Sequence, residues 1–196
     1  RPCPDRITAA TVLCAVAGCG GEALLTNTCN DDLLPIVRVL RRAGCSIAAC
    51  GPHSLAISSC GRVGGVENLF TDVHPAFPTD AAPLVGAAML RAQGETAITD
   101  TIFENRFSCA EGFSALGASV SVSGRTLYVH GVPALRAARI CAPDLRGGAA
   151  LVIAALQAEG ESYLTGIDHI ARGYEDLTSL LGKLGARIVS THWMDE

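Results

Sequence analysis

Four short stretches gather the residues of this chain that could do chemistry. His74-Pro75-Ala76-Phe77-Pro78-Thr79-Asp80 ends on a carboxylate behind two prolines. Thr101-Ile102-Phe103-Glu104-Asn105-Arg106-Phe107 sets an acid, an amide and a guanidinium between phenylalanines. Asp144-Leu145-Arg146 puts opposite charges on either side of a leucine, and Arg172 stands between His169-Ile170-Ala171 and Gly173-Tyr174-Glu175. Guanidinium groups present a planar fork of donors that binds carboxylate or phosphate through paired hydrogen bonds. An aspartate near them can take a proton from a hydroxyl held within reach. Taken singly, the same residues have plainer uses: helix caps for Asp80 and Asp144, solvated cations for Arg106 and Arg172.

Composition removes several other chemistries. The 196 residues are 49% hydrophobic and 17% charged, with mean hydropathy +0.34, which excludes a disordered chain and suits one domain or two small ones. A net charge of −4 without any basic stripe excludes the electrostatic footprint of a nucleic-acid binder. His74, His130 and His169 stand apart without metal-ligand spacing, so no metal is expected. The nine cysteines (3, 14, 19, 29, 45, 50, 60, 109 and 141) show no paired two-residue gaps and mostly sit in apolar runs. They read as reduced core thiols of a cytoplasmic protein, not as a disulfide framework. Cys109 is the one thiol near a polar cluster, but no histidine lies beside it in sequence.

These polar stretches are hung on a threefold repeat. Gly21-Glu22-Ala-Leu-Leu-Thr26, Gly94-Glu95-Thr-Ala-Ile-Thr99 and Gly160-Glu161-Ser-Tyr-Leu-Thr165 share one pattern. A helix-ending glycine follows each at a near-constant distance: Gly44, Gly117 and Gly185. Each unit reads as helix, strand, helix and then two strands, with boundaries at about 1–65, 66–130 and 131–196. The first helices, Ile7–Cys19, Ala81–Arg91 and Arg146–Ala158, are apolar nearly all round and so belong on the inside. The second helices are amphipathic, as in Leu33, Ile36, Val37 and Leu40, or in Leu177, Leu180, Leu181 and Leu184. Arg172 precedes the last of these, a helix expected to begin near Gly173-Tyr174. Ala118–Val122 and Thr126–Gly131 are alternating runs joined by Ser123-Gly124 in a hairpin turn. The expected α/β domain therefore has apolar helices at its centre, with sheets and amphipathic helices around them. Helix starts carrying Asp80 and Asp144–Arg146 would present free N–H groups suited to anions.

The first residue is Arg1, so a truncated or processed chain is expected. The run Ile7–Cys19 has the look of a secretory core, and Val16-Ala17-Gly18-Cys19 that of a lipoprotein cleavage box. It is too short to span a bilayer, and the repeat makes it the first copy of the buried helix instead.

In order and in wording, Pro4-Asp5-Arg6-Ile7, the 74–80 and 101–107 stretches, Asp144-Leu145-Arg146 and 169–175 resemble the UDP-N-acetylglucosamine 1-carboxyvinyltransferases. The likeness runs from about Pro4 to Val189. It implies an inside-out α/β barrel-like domain of three βαβαββ units around buried helices, forming residues 1–196 as the C-terminal half of a two-domain enzyme. The missing N-terminal domain would be its structural partner, and would carry the reactive cysteine loop, a catalytic lysine and most of the nucleotide pocket. None of the cysteines present here is nominated for that loop. The implied reaction adds the enolpyruvyl group of phosphoenolpyruvate to the 3-hydroxyl of UDP-N-acetylglucosamine, then eliminates phosphate from a tetrahedral ketal. It opens peptidoglycan synthesis in the bacterial cytoplasm and needs no cofactor.

By the same resemblance Asp80 is the general base and Arg172 grips the phosphoenolpyruvate carboxylate. The backbone at Ile102 contacts the nucleotide sugar, while Arg106, Asp144 and Arg146 complete a polar cleft. This half alone is expected to be inactive. The sequence departs from the family wording at Thr8, Ala10, Ala81-Ala82, Pro143, Gly147-Gly148 and Ala171. A shikimate-pathway enolpyruvyl transferase and a non-catalytic paralogue acting as a binding domain are the alternatives.

Overall fold

A computed structural model describes residues 4–191. The apolar run near the start forms α1 (Arg6–Cys19), capped by Asp5, whose carboxylate accepts from the Ile7 N–H at 2.8 Å. Strand β1 (Gly21–Thr26), α2 (Asn30–Arg42), β2 (Ser46–Gly51) and β3 (Ser54–Ser59) follow. β1, β3 and β2 make an antiparallel sheet in that order, with Leu25, Ile47, Leu55 and Ile57 turned inward. The α2 stripe of Leu33, Ile36, Val37 and Leu40 is buried as its spacing requires.

The middle of the chain repeats this order. It runs through β4 (Leu69–Phe70), a 3-10 turn (Thr79–Ala81), α3 (Ala82–Ala88), β5 (Glu95–Thr99), α4 (Ala110–Ala115), β6 (Ser119–Ser123) and β7 (Thr126–His130). The sheet order is β4-β5-β7-β6, with β4 parallel to β5 and the 119–130 hairpin antiparallel. Helix α3 is shorter than the expected Ala81–Arg91. Beyond Ala88 the chain tightens, with Leu90 N–H bonding to the Ala87 carbonyl and Ala92 N–H to Met89.

The last third holds β8 (Leu135–Arg136), β9 (Arg139–Cys141), α5 (Leu145–Leu156), β10 (Ala158–Glu159), β11 (Tyr163–Thr165), α6 (Asp168–Ala171) and α7 (Leu177–Gly182). β9 and β11 pair in parallel, as do β8 and β10. Two expectations change here. Ala158 leaves the helix because it pairs with Leu135 in the short sheet. The last amphipathic helix starts at Leu177 rather than near Gly173, because the Asp176 carboxylate caps the Ser179 N–H at 2.7 Å. That helix ends at Gly182, so Leu184 falls outside the stripe and is exposed. No strand follows α7 among the described residues.

The three apolar helices pack on one another at the centre: α1 on α3, α1 on α5 and α3 on α5. All of α3 is buried, as are Ala10–Gly18 of α1 and Gly147–Ala154 of α5. The strands lie outside them in four hydrogen-bonded sets. Matching backbone marks the units: Gly21, Gly94 and Gly160 have φ of 102°, 104° and 97°, and Gly44, Gly117 and Gly185 have 100°, 85° and 92°. These left-handed conformations favour glycine at both positions in every unit. No helix among the described residues is long and apolar enough to cross a membrane.

Candidate active site

The starts of the three central helices meet, and the charged stretches meet with them. Arg146, in the first turn of α5, donates from Nη2 to Asp80 Oδ2 at 3.1 Å. Arg106 approaches the other oxygen, with Nη2 at 3.6 Å from Asp80 Oδ1. Asp80 therefore stands between two guanidinium groups, its side chain 36% exposed toward solvent. Neither the 3-10 turn nor α3 receives a side-chain cap from it. The simple capping explanation of Asp80 thus has no hydrogen bond to support it.

Asp144 is different. Its Oδ1 accepts from the N–H groups of Arg146 (2.9 Å) and Gly147 (2.8 Å), capping α5, while Oδ2 accepts from Ser108 Oγ at 2.5 Å. Both oxygens are committed to holding the helix start against the 101–109 segment. Removing this cap in Asp144→Ala should cost about 1–2 kcal/mol in urea unfolding, whereas Asp144→Asn keeps the Oδ1 contacts and most of that stability. Equal losses in the two variants would contradict the capping geometry.

The 101–107 segment leaves β5 through Asp100, a fully buried acid that lay one residue before the stretch singled out by sequence. Its Oδ1 accepts from the N–H groups of Ile102 (2.8 Å) and Phe103 (2.7 Å), an aspartate turn that folds the loop back. The only sequence signal for this was an aspartate closing an alternating strand before a polar cluster. Phe107 is buried as an anchor, while Phe103 lies half exposed beneath the Arg106 guanidinium, 4.4 Å from ring centre to Cζ. Arg106 donates from Nε to Thr79 Oγ1 at 2.9 Å, tying the loop to the turn that bears Asp80. Ile102 is 40% exposed, and its N–H is given to Asp100.

Arg172 is exposed at the C-cap of α6, not at a helix start. Its backbone N–H donates to the Ile170 carbonyl, and its position rests on that turn and on its neighbours. Gly173 lies close against the Leu145 side chain, and the Tyr174 hydroxyl is 2.7 Å from Thr11 Oγ1 in α1. Burial raises the Tyr174 hydroxyl above its ordinary pKa, although Thr11 and Arg146 work the other way. At Asp5 burial pushes upward too, but the Thr8 hydroxyl, the backbone N–H groups of Ile7 and Thr8, and Arg146 together hold its carboxyl low. Arg146 is thus within electrostatic reach of Asp5, Asp80 and Tyr174 together. Tyr174, Thr11 and Asp5 were not among the site residues expected from sequence.

Some departures from the family wording have local reasons. A Cβ on Gly147 would lie 2.9 Å from Pro143 Cγ, and one on Gly148 2.8 Å from Ile170 Cγ1. The glycine pair lets proline and isoleucine seat tightly on the start of α5. Thr8 donates its hydroxyl to Asp5 Oδ2 at 2.6 Å and so joins the α1 cap.

Cys14, Cys19, Cys45, Cys50, Cys60, Cys109 and Cys141 carry free thiols, and Cys3 lies outside the described residues. Cys109 is fully buried, and burial, with Asp144 adding to it, pushes its thiol up to about 12. A thiol that cannot ionise near neutrality is a poor nucleophile. Alkylation at pH 8 followed by mass spectrometry should therefore modify the exposed Cys50, Cys60 and Cys141 quickly. Cys14 and Cys109 should react only after unfolding; native labelling of Cys109 at the rate of Cys50 would contradict this burial.

The chain is 40% identical over 186 residues to UDP-N-acetylglucosamine 1-carboxyvinyltransferase 2 of Caldanaerobacter subterraneus subsp. tengcongensis, covering 95% of this chain and 44% of that protein. To UDP-N-acetylglucosamine 1-carboxyvinyltransferase of Rhizobium johnstonii it is 41% identical over 186 residues, covering 95% of this chain and 43% of that one. The enolpyruvyl transferase NikO from Streptomyces tendae matches with a TM-score of 0.82 at 30% identity, over 94% of this chain and 43% of NikO. An EPSP synthase from Acinetobacter baumannii shares the fold, with a TM-score of 0.68 at 18% identity over 90% of this chain and 44% of that one. The chain spans less than half the length of the curated relatives it matches. A family model described as EPSP synthase (3-phosphoshikimate 1-carboxyvinyltransferase) matches residues 3–181, most of the chain, and the protein belongs to that family.

Proposed function

We propose that residues 1–196 form the C-terminal domain of a two-domain UDP-N-acetylglucosamine 1-carboxyvinyltransferase, with repeat units at about 1–65, 66–130 and 131–196. The whole enzyme moves the enolpyruvyl group of phosphoenolpyruvate to the sugar 3-hydroxyl and releases phosphate. The observation that carries the reading is Asp80 set between Arg106 and Arg146 where three central helix starts meet. Relatives at 40–41% identity bear that enzyme's name, which favours the nucleotide sugar over 3-phosphoshikimate as acceptor.

The chemistry asks for an acceptor hydroxyl to lose a proton while an anionic donor is held still. Asp80 takes the hydroxyl proton as general base. Arg106 and Arg146 keep its carboxylate oriented, and their remaining donors meet the anionic oxygens of the substrates. Arg172, exposed on the segment packed against Leu145, holds the carboxylate of phosphoenolpyruvate, and the Ile102 backbone meets the nucleotide sugar. Asp144 contributes by fixing the start of α5, from which Arg146 projects. The N-terminal domain supplies the opposite wall, so this domain alone does not turn over. The enzyme acts in the cytoplasm, in cell-wall synthesis, and so bears on cell shape and division.

The deciding experiment gives the full-length protein phosphoenolpyruvate with either UDP-N-acetylglucosamine or 3-phosphoshikimate and follows phosphate release. Release with the nucleotide sugar alone is expected. Release with 3-phosphoshikimate alone would transfer the protein to the other acceptor, and release with neither would leave it a binding domain.

A further inference from the structure

Asp100 has no part in the roles given above, yet its carboxylate is completely buried and joins the two segments that carry Asp80 and Arg106. One oxygen holds the Ile102 and Phe103 N–H groups; the other accepts from the Thr79 hydroxyl and lies 3.8 Å from Arg106 Nε. A carboxylate only accepts, and a hydroxyl has one proton to give. The Thr79 proton therefore points to Asp100, which leaves its lone pairs to accept from Arg106 Nε–H at 2.9 Å. Pinned at Nε and stacked on Phe103, the guanidinium directs Nη2 toward Asp80.

We propose that Asp100 is a positioning residue for the transfer: acting through the Thr79 hydroxyl, it fixes the orientation of the Arg106 guanidinium toward Asp80. The proposal rests on the enolpyruvyl-transferase reading for its kinetic consequence, but not for its geometric one. Asp100→Asn preserves the shape and, through its carbonyl oxygen, the two backbone contacts. Its amide, however, donates to Thr79, so the hydroxyl proton loses the acceptor that fixed it and the lone pairs are no longer held toward Arg106 Nε–H. Thr79→Val deletes the relay from the other end, while Thr79→Ser keeps it.

The test uses the full-length protein with Asp100→Asn, Thr79→Val, Thr79→Ser and the double variant Asp100→Asn/Thr79→Val. A small misplacement of a catalytic group costs up to about 10²-fold in rate. Accordingly kcat should fall about 10- to 100-fold in Asp100→Asn and in Thr79→Val, with KM for the nucleotide sugar changing less. Thr79→Ser should restore near-normal turnover, and the double variant should be no worse than the poorer single, because both cut one chain of contacts. Hydrogen exchange at Arg106 Nε–H, followed by NMR and assigned through Arg106→Lys, provides a readout independent of activity. It should be slow in the wild type and Thr79→Ser, and fast in Asp100→Asn and Thr79→Val.

Unchanged exchange in the last two, or variants that lose only melting temperature with kcat intact, overturns the proposal. If the wild type does not turn over but the exchange pattern holds, the functional reading fails and the relay stands. Should Asp100→Asn not fold, Thr79→Val against Thr79→Ser decides alone.

Discussion

On the proposed reading of Asp80 as general base, replacing it by asparagine in the full-length protein should lower kcat by about 10²–10⁴-fold, the usual cost of losing such a group. Binding of the nucleotide sugar should weaken far less, since the amide retains the size of the carboxylate and one accepting oxygen. The environment of Asp80 makes this a clean substitution. Its oxygens face Arg146 at 3.1 Å and Arg106 at 3.6 Å, and no helix N–H depends on them. Loss of a cap therefore does not contaminate the result, as it would at Asp144. If Asp80 were only an ion-pair partner, Asp80→Asn would leave turnover near normal and change only salt sensitivity. Steady-state kinetics together with a separate measurement of nucleotide-sugar affinity distinguishes the two.

The largest effect on stability is expected at Phe113. This side chain is fully buried on the six-residue α4, and its ring reaches the neighbourhood of Gly86 in α3. A helix that short has little stability of its own and is held by tertiary packing. Phe113→Ala removes the aromatic anchor and leaves a cavity that a close-packed centre fills poorly, so about 3–5 kcal/mol should be lost in denaturant unfolding. The same change should loosen the segment that leads into α4, which carries Arg106 and Ser108. Phe103→Ala, at a half-exposed ring, should cost much less. Similar losses at the two positions would mean that α4 is not anchored through the core.

Much of this fold was legible in the residue order because it depends on local rules. Apolar residues nearly all round 7–19, 81–91 and 146–158 call for burial, and the central helices are buried over Ala10–Gly18, Ala82–Ala88 and Gly147–Ala154. Repeated glycines at 21, 94 and 160, and at 44, 117 and 185, occupy left-handed backbone positions in all three units. The motif wording also drew attention to Asp80, Arg106 and Arg146, which the structure brings into contact.

Tertiary structure alone decided what each polar atom touches. Asp80 and Asp144 both precede buried helices, and nothing in their sequence separates them. Asp144 turns its carboxylate onto its own helix N–H groups, while Asp80 turns away to guanidiniums from other segments. The difference lies in the 3-10 geometry of residues 79–81 and in a partner 66 positions away, beyond any local pattern. Asp100 looked like the end of a strand, yet it is wholly buried because Thr79 and two backbone N–H groups converge on it. Arg172 sits at the end of α6 instead of the start of a longer helix, because Asp176 places its cap later. Periodicity records which side of an element is buried; the direction of a single carboxylate is set by groups that only the packed chain brings near it.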